Sequence, residues 1–216
     1  GDEEGTDSVF EYFGKTIKPI VSLKDALDWG VLTKYYYHPI QTELNDEEYD
    51  KYEEITKKIS KLVARGYSIE DQKSGPLKNL MIQRARIVAS CANKIPELIK
   101  IVKKINNPKK FLVYCGDGKV DSTATNEEVR QVDEVTKVLG NDLGLVVSQY
   151  TFTTLTDERK RLQLDIASGK NDGIVAIRCL DEGIDIPEIE TAFILASSTN
   201  PKQFIQRRGR ILRIAP

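Results

Sequence analysis

Apolar residues in the first half of the chain mostly recur at helical spacing. After Asn45 they return every three or four residues, which predicts an amphipathic helix that ends at Gly66. Asn45 with Glu48 three residues later is close to a capping box, which marks the start of that helix. The predicted apolar stripe consists of Tyr52, Ile55, Ile59, Leu62 and Val63.

Further elements are predicted on either side of this helix. A short helix is predicted around residues 23–29, and the aromatic run that begins at Tyr35 predicts a β-strand over residues 35–44. Pro76 is well placed as the first residue of a third helix. Pro96 is predicted to break it, after which helical spacing resumes as far as residue 105. The first half is therefore expected to be helical apart from one strand.

The second half alternates short apolar runs with helical patterns. Thr125 with Glu128 is predicted to open a helix that Gly140 stops. Two more helices are predicted over residues 157–168 and 201–208. Near-continuous apolar strands between helices are typical of a parallel sheet covered on both faces, so we predict a three-layer α/β fold. The predicted strands are residues 111–115, 145–147, 173–180 and 192–196.

Composition and charge restrict the class of protein. Of 216 residues, 40% are hydrophobic and 30% are charged, and the formal net charge is −1. This is the composition of a soluble globular protein, so nucleic-acid binding has to rest on local patches. No apolar run is long enough to span a bilayer, and the first residues lack the basic and apolar parts of a signal peptide, so we expect a cytoplasmic protein.

Cysteine and histidine give little support to metal or triad chemistry. Cys91, Cys115 and Cys179 are widely spaced and form no C-x-x-C pair, so we interpret them as buried thiols and expect no metal site. The single histidine, His38, is interpreted as structural. The chain opens with Gly1 and not with Met, which suggests a piece of a longer protein.

Two segments resemble parts of a nucleotide site without completing one. Gly14-Lys15-Thr16 matches the end of a P-loop, but Val9 stands where the first glycine belongs. The apolar strand before Asp181 and Glu182 resembles the magnesium-binding strand of ATPases, although Arg178 lies inside it. Favourable charges at a helix N-terminus are the plain alternative for these two acids.

A pair of motifs carries more information. Asp181-Glu182-Gly183-Ile184-Asp185-Ile186-Pro187 follows one buried strand, and Gln206-Arg207-Arg208-Gly209-Arg210-Ile211-Leu212-Arg213 comes about 20 residues later. With a predicted strand between them, they resemble motifs V and VI of superfamily 2 helicases and translocases. Residues 111–115 resemble motif IV, and Arg159 stands at the head of the helix that lies between motifs IV and V. The sequence of the first motif, residues 181–187, is most similar to the XPB-like and restriction-enzyme-like branch of the DEAD/DEAH-type helicases.

The resemblance covers residues 110–216 and implies the RecA-like C-terminal lobe of such an enzyme, a P-loop NTPase-like fold without its own P-loop. It implies that residues 1–109 lead in from a first lobe, placing one strand and helices on the second. No complete P-loop and no D-E-A-D or D-E-A-H quartet occurs in the sequence. The lobe alone is therefore expected to be inactive. ATP and Mg²⁺ are expected to bind between it and an N-terminal lobe, and that N-terminal lobe is expected to carry the metal ligands.

The resemblance also assigns roles to the arginine segment, residues 206–213. Charge builds on the γ-phosphate oxygens during phosphoryl transfer, and a guanidinium stabilises it. Arg210 and Arg213, three residues apart, are implied to be arginine fingers, with Gln206 meeting either the γ-phosphate side or the acids of the partner lobe. A solvated basic face is the plain alternative, but Gly209 inside the cluster costs a surface helix about 0.5–1 kcal/mol relative to Ala.

The remaining implied contacts concern ATP and nucleic acid. Gly183, Asp185 and Gly209 are the implied ATP-binding residues, although Asp185 before Ile-Pro could also be a simple turn. Nucleic-acid phosphates are implied to meet the carboxyl ends of the strands, and the departure of Ile177-Arg178 from the usual threonine favours DNA over RNA. The implied nucleic-acid contacts are Gly116, Ser148, Thr151 and Arg178.

Three functional hypotheses follow. The first is the C-terminal half of an ATP-dependent DNA helicase or translocase. The second is a non-catalytic α/β module that binds nucleic acid or a protein. The third is a small complete ATPase that uses Lys15 and Asp181.

Overall fold

A computed structural model describes residues 7, 10–14, 18, 21–30, 35–68, 75–105, 108–121, 128–177 and 189–196. The first part is helical: α1 (Leu23–Asp28), α2 (Asp46–Ala64), α3 (Gly75–Ala89) and α4 (Lys94–Ile105). Strands and helices then follow in the order β1 (Phe111–Cys115), β2 (Lys119–Asp121), β3 (Glu128–Arg130), α5 (Gln131–Lys137), β4 (Val147–Tyr150), α6 (Thr156–Ala167), β5 (Gly173–Ile177) and β6 (Thr191–Ile194).

The centre of the fold is a parallel sheet in the order β4-β5-β1-β6. Cys115 of β1 is level with Ile177 of β5, and Tyr114 is level with Ile194 of β6. Tyr150 of β4 pairs with Ala176. All four strands therefore end at one carboxyl edge, within a residue or so of the same level.

Alternate side chains of the sheet enter two separate cores. Phe111, Val113 and Cys115 point to one face, where α4, α5 and the π-helical turn after α5 cover them. Leu112 and Tyr114 point to the other face, where α6 covers them. Because β1 and β5 are buried along their whole length, they lack the polar alternation of a half-exposed strand. The predicted three-layer α/β fold is confirmed.

Local signals explain the helix boundaries in the first half. Asn45 and Glu48 form the predicted capping box, with Asn45 Oδ1 accepting from the Glu48 N–H at 2.8 Å and Glu48 Oε2 accepting from the Asn45 N–H at 3.1 Å. Gly66 follows α2 with a φ of 86°, a left-handed conformation that glycine adopts without strain. The predicted short helix is also confirmed, since Ser22 and Asp25 form a second capping box at the start of α1.

Three predicted elements need correction. The strand predicted over residues 35–44 is absent: among the described residues no strand pairs with this segment, and the Glu43 carbonyl accepts instead from Cys91 Sγ and Asn93 Nδ2. The helix predicted to open at Thr125 and Glu128 starts later, at Gln131 (α5), because Glu128 begins β3, which pairs antiparallel with β2. Thr125 lies outside the described residues. The strand expected at residues 145–147 begins at Val147 instead.

Gly140 does not end the helical stretch either, because a π-helical turn continues it from Val138 to Asp142. The final predicted helix, residues 201–208, lies outside the described part of the chain. Among the helices described, none is long and apolar enough to cross a membrane.

Candidate functional site

The carboxyl edge of the sheet is where the chain departs toward both sequence motifs. β5 ends at Ile177, directly before Arg178, and β6 ends at Ile194, 12 residues before Gln206, where the arginine segment begins. β1 lies between these two strands. With neighbouring strands spaced by about 4.8 Å, the two points of departure are about 10 Å apart. In parallel sheets this edge is the usual place for a ligand.

Gly116, a predicted nucleic-acid contact, lies immediately beyond β1 at this edge and is buried. Its N–H donates to Gln131 Oε1 at 2.7 Å. A Cβ at this position would lie 3.2 Å from the Ala196 side chain and 3.2 Å from the carbonyl oxygen of Ala89. The glycine thus permits close packing of α3 and β6 around the end of β1, and its amide is already hydrogen-bonded inside the protein.

Gln131 is a buried polar residue that sequence reasoning missed. Besides accepting from Gly116, its Nε2 donates to the Ala89 carbonyl at 3.4 Å and its backbone N–H donates to the Gly118 carbonyl at 3.0 Å. It therefore joins the first residue of α5 to the end of β1, the start of the β2–β3 hairpin and the end of α3. Its neighbours are up to 42 residues away, so no local pattern could have revealed it.

Thr151 lies at the same edge, directly beyond β4. Its N–H donates to Thr154 Oγ1 at 2.9 Å, and its hydroxyl is 2.7 Å from the hydroxyl of Thr153. The turn that these threonines form exposes Phe152, of which 80% is accessible. Because Tyr150 pairs with Ala176 of β5, Thr151 is level with Ile177, and β5 separates it from Gly116.

Arg159 is held beside this turn. Its guanidinium lies over the Tyr150 ring, 5.0 Å from the centroid, and its Nε donates to the Thr154 carbonyl at 2.9 Å. A planar guanidinium is suited to such stacking. The arginine noted at the head of this helix therefore lies close to Thr151 at the carboxyl edge.

Ser148 is not brought together with Gly116 and Thr151. It is the second residue of β4, paired with Ile174, and lies about 10 Å back from the carboxyl edge at about 3.3 Å per residue. Its Oγ accepts from Asn171 Nδ2 at 2.7 Å. Nearby, the buried carboxylate of Asp172 pairs with Lys109 and accepts from the Val146 N–H. These contacts hold the amino edge of the sheet.

Lys94, which the sequence analysis did not single out, is the first residue of α4. Its Nζ donates to the carbonyls of Val88 at 2.5 Å, Ala89 at 3.2 Å and Leu195 at 2.7 Å. Burial lowers the pKa of this ammonium, an effect that the nearby Cys91 and Glu48 oppose. Leu195 is 101 residues away in sequence, so only the folded chain shows this link.

Two of the three cysteines are buried as predicted. Cys91 and Cys115 are free thiols, and burial raises the pKa of each. They are therefore protonated at neutral pH and unsuited to nucleophilic chemistry or metal binding. Cys179 lies outside the described residues. In the described ranges, no three His, Cys, Asp or Glu side chains are grouped so that they could hold a metal ion.

The residues implied to contact ATP lie outside the described part of the chain, and so does one of the implied nucleic-acid contacts, Arg178. Their roles therefore stay predictions. The implied ATP-site residues are Gly183, Asp185, Gln206, Gly209, Arg210 and Arg213.

A family model described as the helicase conserved C-terminal domain matches residues 93–215. The chain is 24% identical over 227 residues to the DNA 3'-5' translocase XPB2 of Sulfurisphaera tokodaii, a match that covers 97% of this chain and 48% of that protein. It is 35% identical over 89 residues to the UvrABC system protein B of Levilactobacillus brevis, covering 39% of this chain and 13% of that protein. The chain thus spans about half the length of the first relative.

Solved structures with the same fold include the C-terminal part of the Fun30 ATPase domain, with a TM-score of 0.61 and 14% identity over 85% of this chain and 82% of that one. The Sulfolobus solfataricus SWI2/SNF2 ATPase core in complex with dsDNA has a TM-score of 0.58 and 13% identity. That match covers 80% of this chain and 38% of the solved chain. At these identities the likeness concerns the fold.

Proposed function

Because the chain belongs to the helicase conserved C-terminal domain family, we propose that it is the second RecA-like lobe of an ATP-driven DNA helicase or translocase. The observation that carries this proposal is the family match over residues 93–215, which joins the parallel sheet to both sequence motifs in one unit. The roles of individual residues are part of the proposal.

DNA is the proposed nucleic acid. The relative from Sulfurisphaera tokodaii, matched over 97% of this chain, is named a DNA translocase, and a solved structure of the same fold is a complex with dsDNA. Arg159 lies at the carboxyl edge and offers a guanidinium, while the Thr151 N–H already donates to Thr154 and would have to exchange that partner for a phosphate. The Gly116 N–H already donates to Gln131, so a phosphate would have to replace Gln131 as its acceptor, whereas the Ser148 hydroxyl accepts from Asn171 and can still donate its own proton. Arg178 completes the proposed set of DNA contacts.

The proposed catalytic contribution of this lobe is electrostatic. Arg210 and Arg213 would act as arginine fingers that stabilise charge on the γ-phosphate, with Gln206 beside them. Gly183, Asp185 and Gly209 would contact the nucleotide. The support is geometric. β5 and β6 end about 10 Å apart, at two strand spacings, so the chain leaves the same edge of the sheet toward each of the two motifs.

Magnesium and most of the phosphate contacts are assigned to an N-terminal lobe. The metal ligands are proposed to belong to that lobe, and the described residues of this chain include no cluster of three His, Cys, Asp or Glu side chains that could hold a metal ion. Mg²⁺ bound with ATP would neutralise phosphate charge, while this lobe contributes always-protonated guanidinium groups from the opposite side.

ATP hydrolysis, with and without duplex DNA, tests the proposal. The assay compares this 216-residue chain with a chain extended upstream by one domain. Turnover only in the extended chain, stimulated by DNA, is the expected result. Turnover by the short chain alone would instead favour a complete site that uses Lys15. No ATP hydrolysis by either chain would favour a binding module without nucleotide chemistry.

The arginine fingers are tested by substitution in the active extended chain. Arg210→Ala or Arg213→Ala should lower kcat for ATP by about 10³ or more, because the charge of the transition state loses its partner. Arg161→Ala is the matched control: this arginine lies on α6, 84% of its side chain is exposed, and its described contact is an ion pair with Asp165 at 3.8 Å. Unchanged kcat in the Arg210 and Arg213 variants would remove their catalytic role while leaving the family assignment intact.

A further inference from the structure

The junction between α3 and α4 is tied to the carboxyl edge of the sheet by one ammonium group. Lys94 Nζ donates to the Val88 and Ala89 carbonyls at the end of α3 and to the Leu195 carbonyl just after β6. An ammonium has three N–H donors, and the three bonds to carbonyls use all of them. The three described hydrogen bonds of Lys94 thus engage all its N–H donors, and each is made to a backbone carbonyl.

Positive charge is well suited to this position. The last carbonyls of a helix lack partners within the helix and carry partial negative charge. The ammonium of Lys94 satisfies two of them and joins them to a strand that lies 101 residues away in sequence. A neutral side chain could fill the space but could not hold three carbonyls together.

Two other contacts fix the same junction against the sheet. Gln131 joins the Ala89 carbonyl to the Gly116 N–H, and Gly118 packs directly against Ser90. The end of α3 is thus held from the side of β1 and of the β2–β3 hairpin. Among the described residues, the side-chain hydrogen bond that joins this junction to the end of β6 is the one from Lys94 Nζ to the Leu195 carbonyl.

We propose that Lys94 is a positioning residue for the arginine segment: it fixes the point at which the chain leaves β6 toward Gln206, Arg210 and Arg213. Gln206 follows Leu195 by 11 residues. This inference rests on the proposed function of those residues. Catalysis by charge stabilisation depends steeply on placement, and an error of about 1 Å can cost about 10²-fold in rate.

The test uses the extended chain with DNA-stimulated ATP hydrolysis. Lys94→Met removes the charge and all three donors while keeping a long apolar side chain. We expect kcat to fall by at least about 10-fold with KM for ATP within about twofold, because the arginine fingers act in the transition state. Lys94→Arg, which keeps charge and donors, should recover much of the lost kcat.

Lys100→Met is the matched control. Lys100 lies on the same helix, 65% of its side chain is exposed, and its described contact is an ion pair with Glu97 at 2.6 Å. Its substitution should leave kcat and KM unchanged. Kinetic constants equal to those of the wild type in a folded Lys94→Met variant would overturn the proposal.

A double-mutant cycle separates positioning from general stability. If Lys94 acts through the finger, Lys94→Met should add little to the loss already caused by Arg210→Ala. Losses that multiply would mean that Lys94 acts elsewhere, which overturns the proposal. An Arg210→Ala variant with full activity would instead show that the proposed function of that arginine is wrong.

A failure of the Lys94 variants to fold would also decide between positioning and stability. Lys94→Gln, which removes the charge and has two N–H donors where lysine has three, replaces Lys94→Met in every measurement if the methionine variant does not fold. If neither variant folds, Lys94 is a stability residue and the positioning role is rejected.

Discussion

At the scale of single residues, the carboxyl edge depends on close approaches that only very small side chains allow. The position of Gly118 is an example: a Cβ there would overlap Ser90 Oγ and lie 2.6 Å from Ser90 Cβ. Ser90 itself is 5% exposed and its hydroxyl donates to the Arg86 carbonyl at 2.6 Å. The serine therefore has little freedom to move away.

Gly118→Ala should accordingly destabilise the fold by about 1–3 kcal/mol through overpacking. Urea unfolding followed by circular dichroism measures the change. Gly75→Ala is the control, because a Cβ at Gly75 has no atom within 4 Å and alanine is the better residue in a helix. Equal stability of the Gly118 variant and the wild type would contradict the close contact with Ser90.

At the scale of elements, one carboxylate both starts a helix and docks it. Glu48 Oε2 accepts from the Asn45 N–H at the N-terminus of α2, while Oε1 accepts from the Ala92 N–H at 2.8 Å in the α3–α4 junction. The α2 helix also packs on α3, where the Arg84 guanidinium lies 5.5 Å from the centroid of the Tyr52 ring. The cap predicted from sequence is thus also a tertiary contact.

Two substitutions separate these roles. Asn45→Ala should cost about 1 kcal/mol, the usual value for a lost N-cap. Glu48→Ala should cost more, about 1–3 kcal/mol, because it also leaves the Ala92 N–H without its acceptor. Chemical denaturation measures both, with exposed Glu47→Ala as the control. A Glu48 variant no less stable than the Asn45 variant would show that the Ala92 contact contributes nothing.

At the scale of the whole molecule, α4 belongs to the same core as the sheet. Its side chains Ile95, Leu98 and Val102 are buried with Phe111 and Val113 of β1. The domain boundary predicted at residue 109 falls after α4 and stays a prediction. The packing favours a folding unit that begins before it.

Core substitutions on the two faces of the sheet test this unit. Leu98 on α4 is 3% exposed and Ile166 on α6 is fully buried. Replacing either with Ala should lower the free energy of unfolding by about 2–5 kcal/mol within a single cooperative transition. A separate transition affected by Leu98→Ala alone would instead place α4 outside the unit.

The sequence by itself determined the class of fold and most of its elements. Buried strands such as Phe111–Cys115 are short apolar runs between helical patterns, and capping boxes depend on residues three apart, so both signals are local. The motifs at residues 181–187 and 206–213 indicated the family for the same reason, and the family match bears this out. The roles of their residues stay predictions.

Only the tertiary structure decided which distant groups meet. The order β4-β5-β1-β6, the burial of Gln131 and the three carbonyls around Lys94 depend on contacts between residues far apart in sequence. The aromatic run at residues 35–44 and the pair Thr125–Glu128 misled the sequence analysis for a related reason. Strand propensity has no effect without a partner strand, and a hairpin partner can override a helix signal, so pairing in space decides between locally acceptable structures.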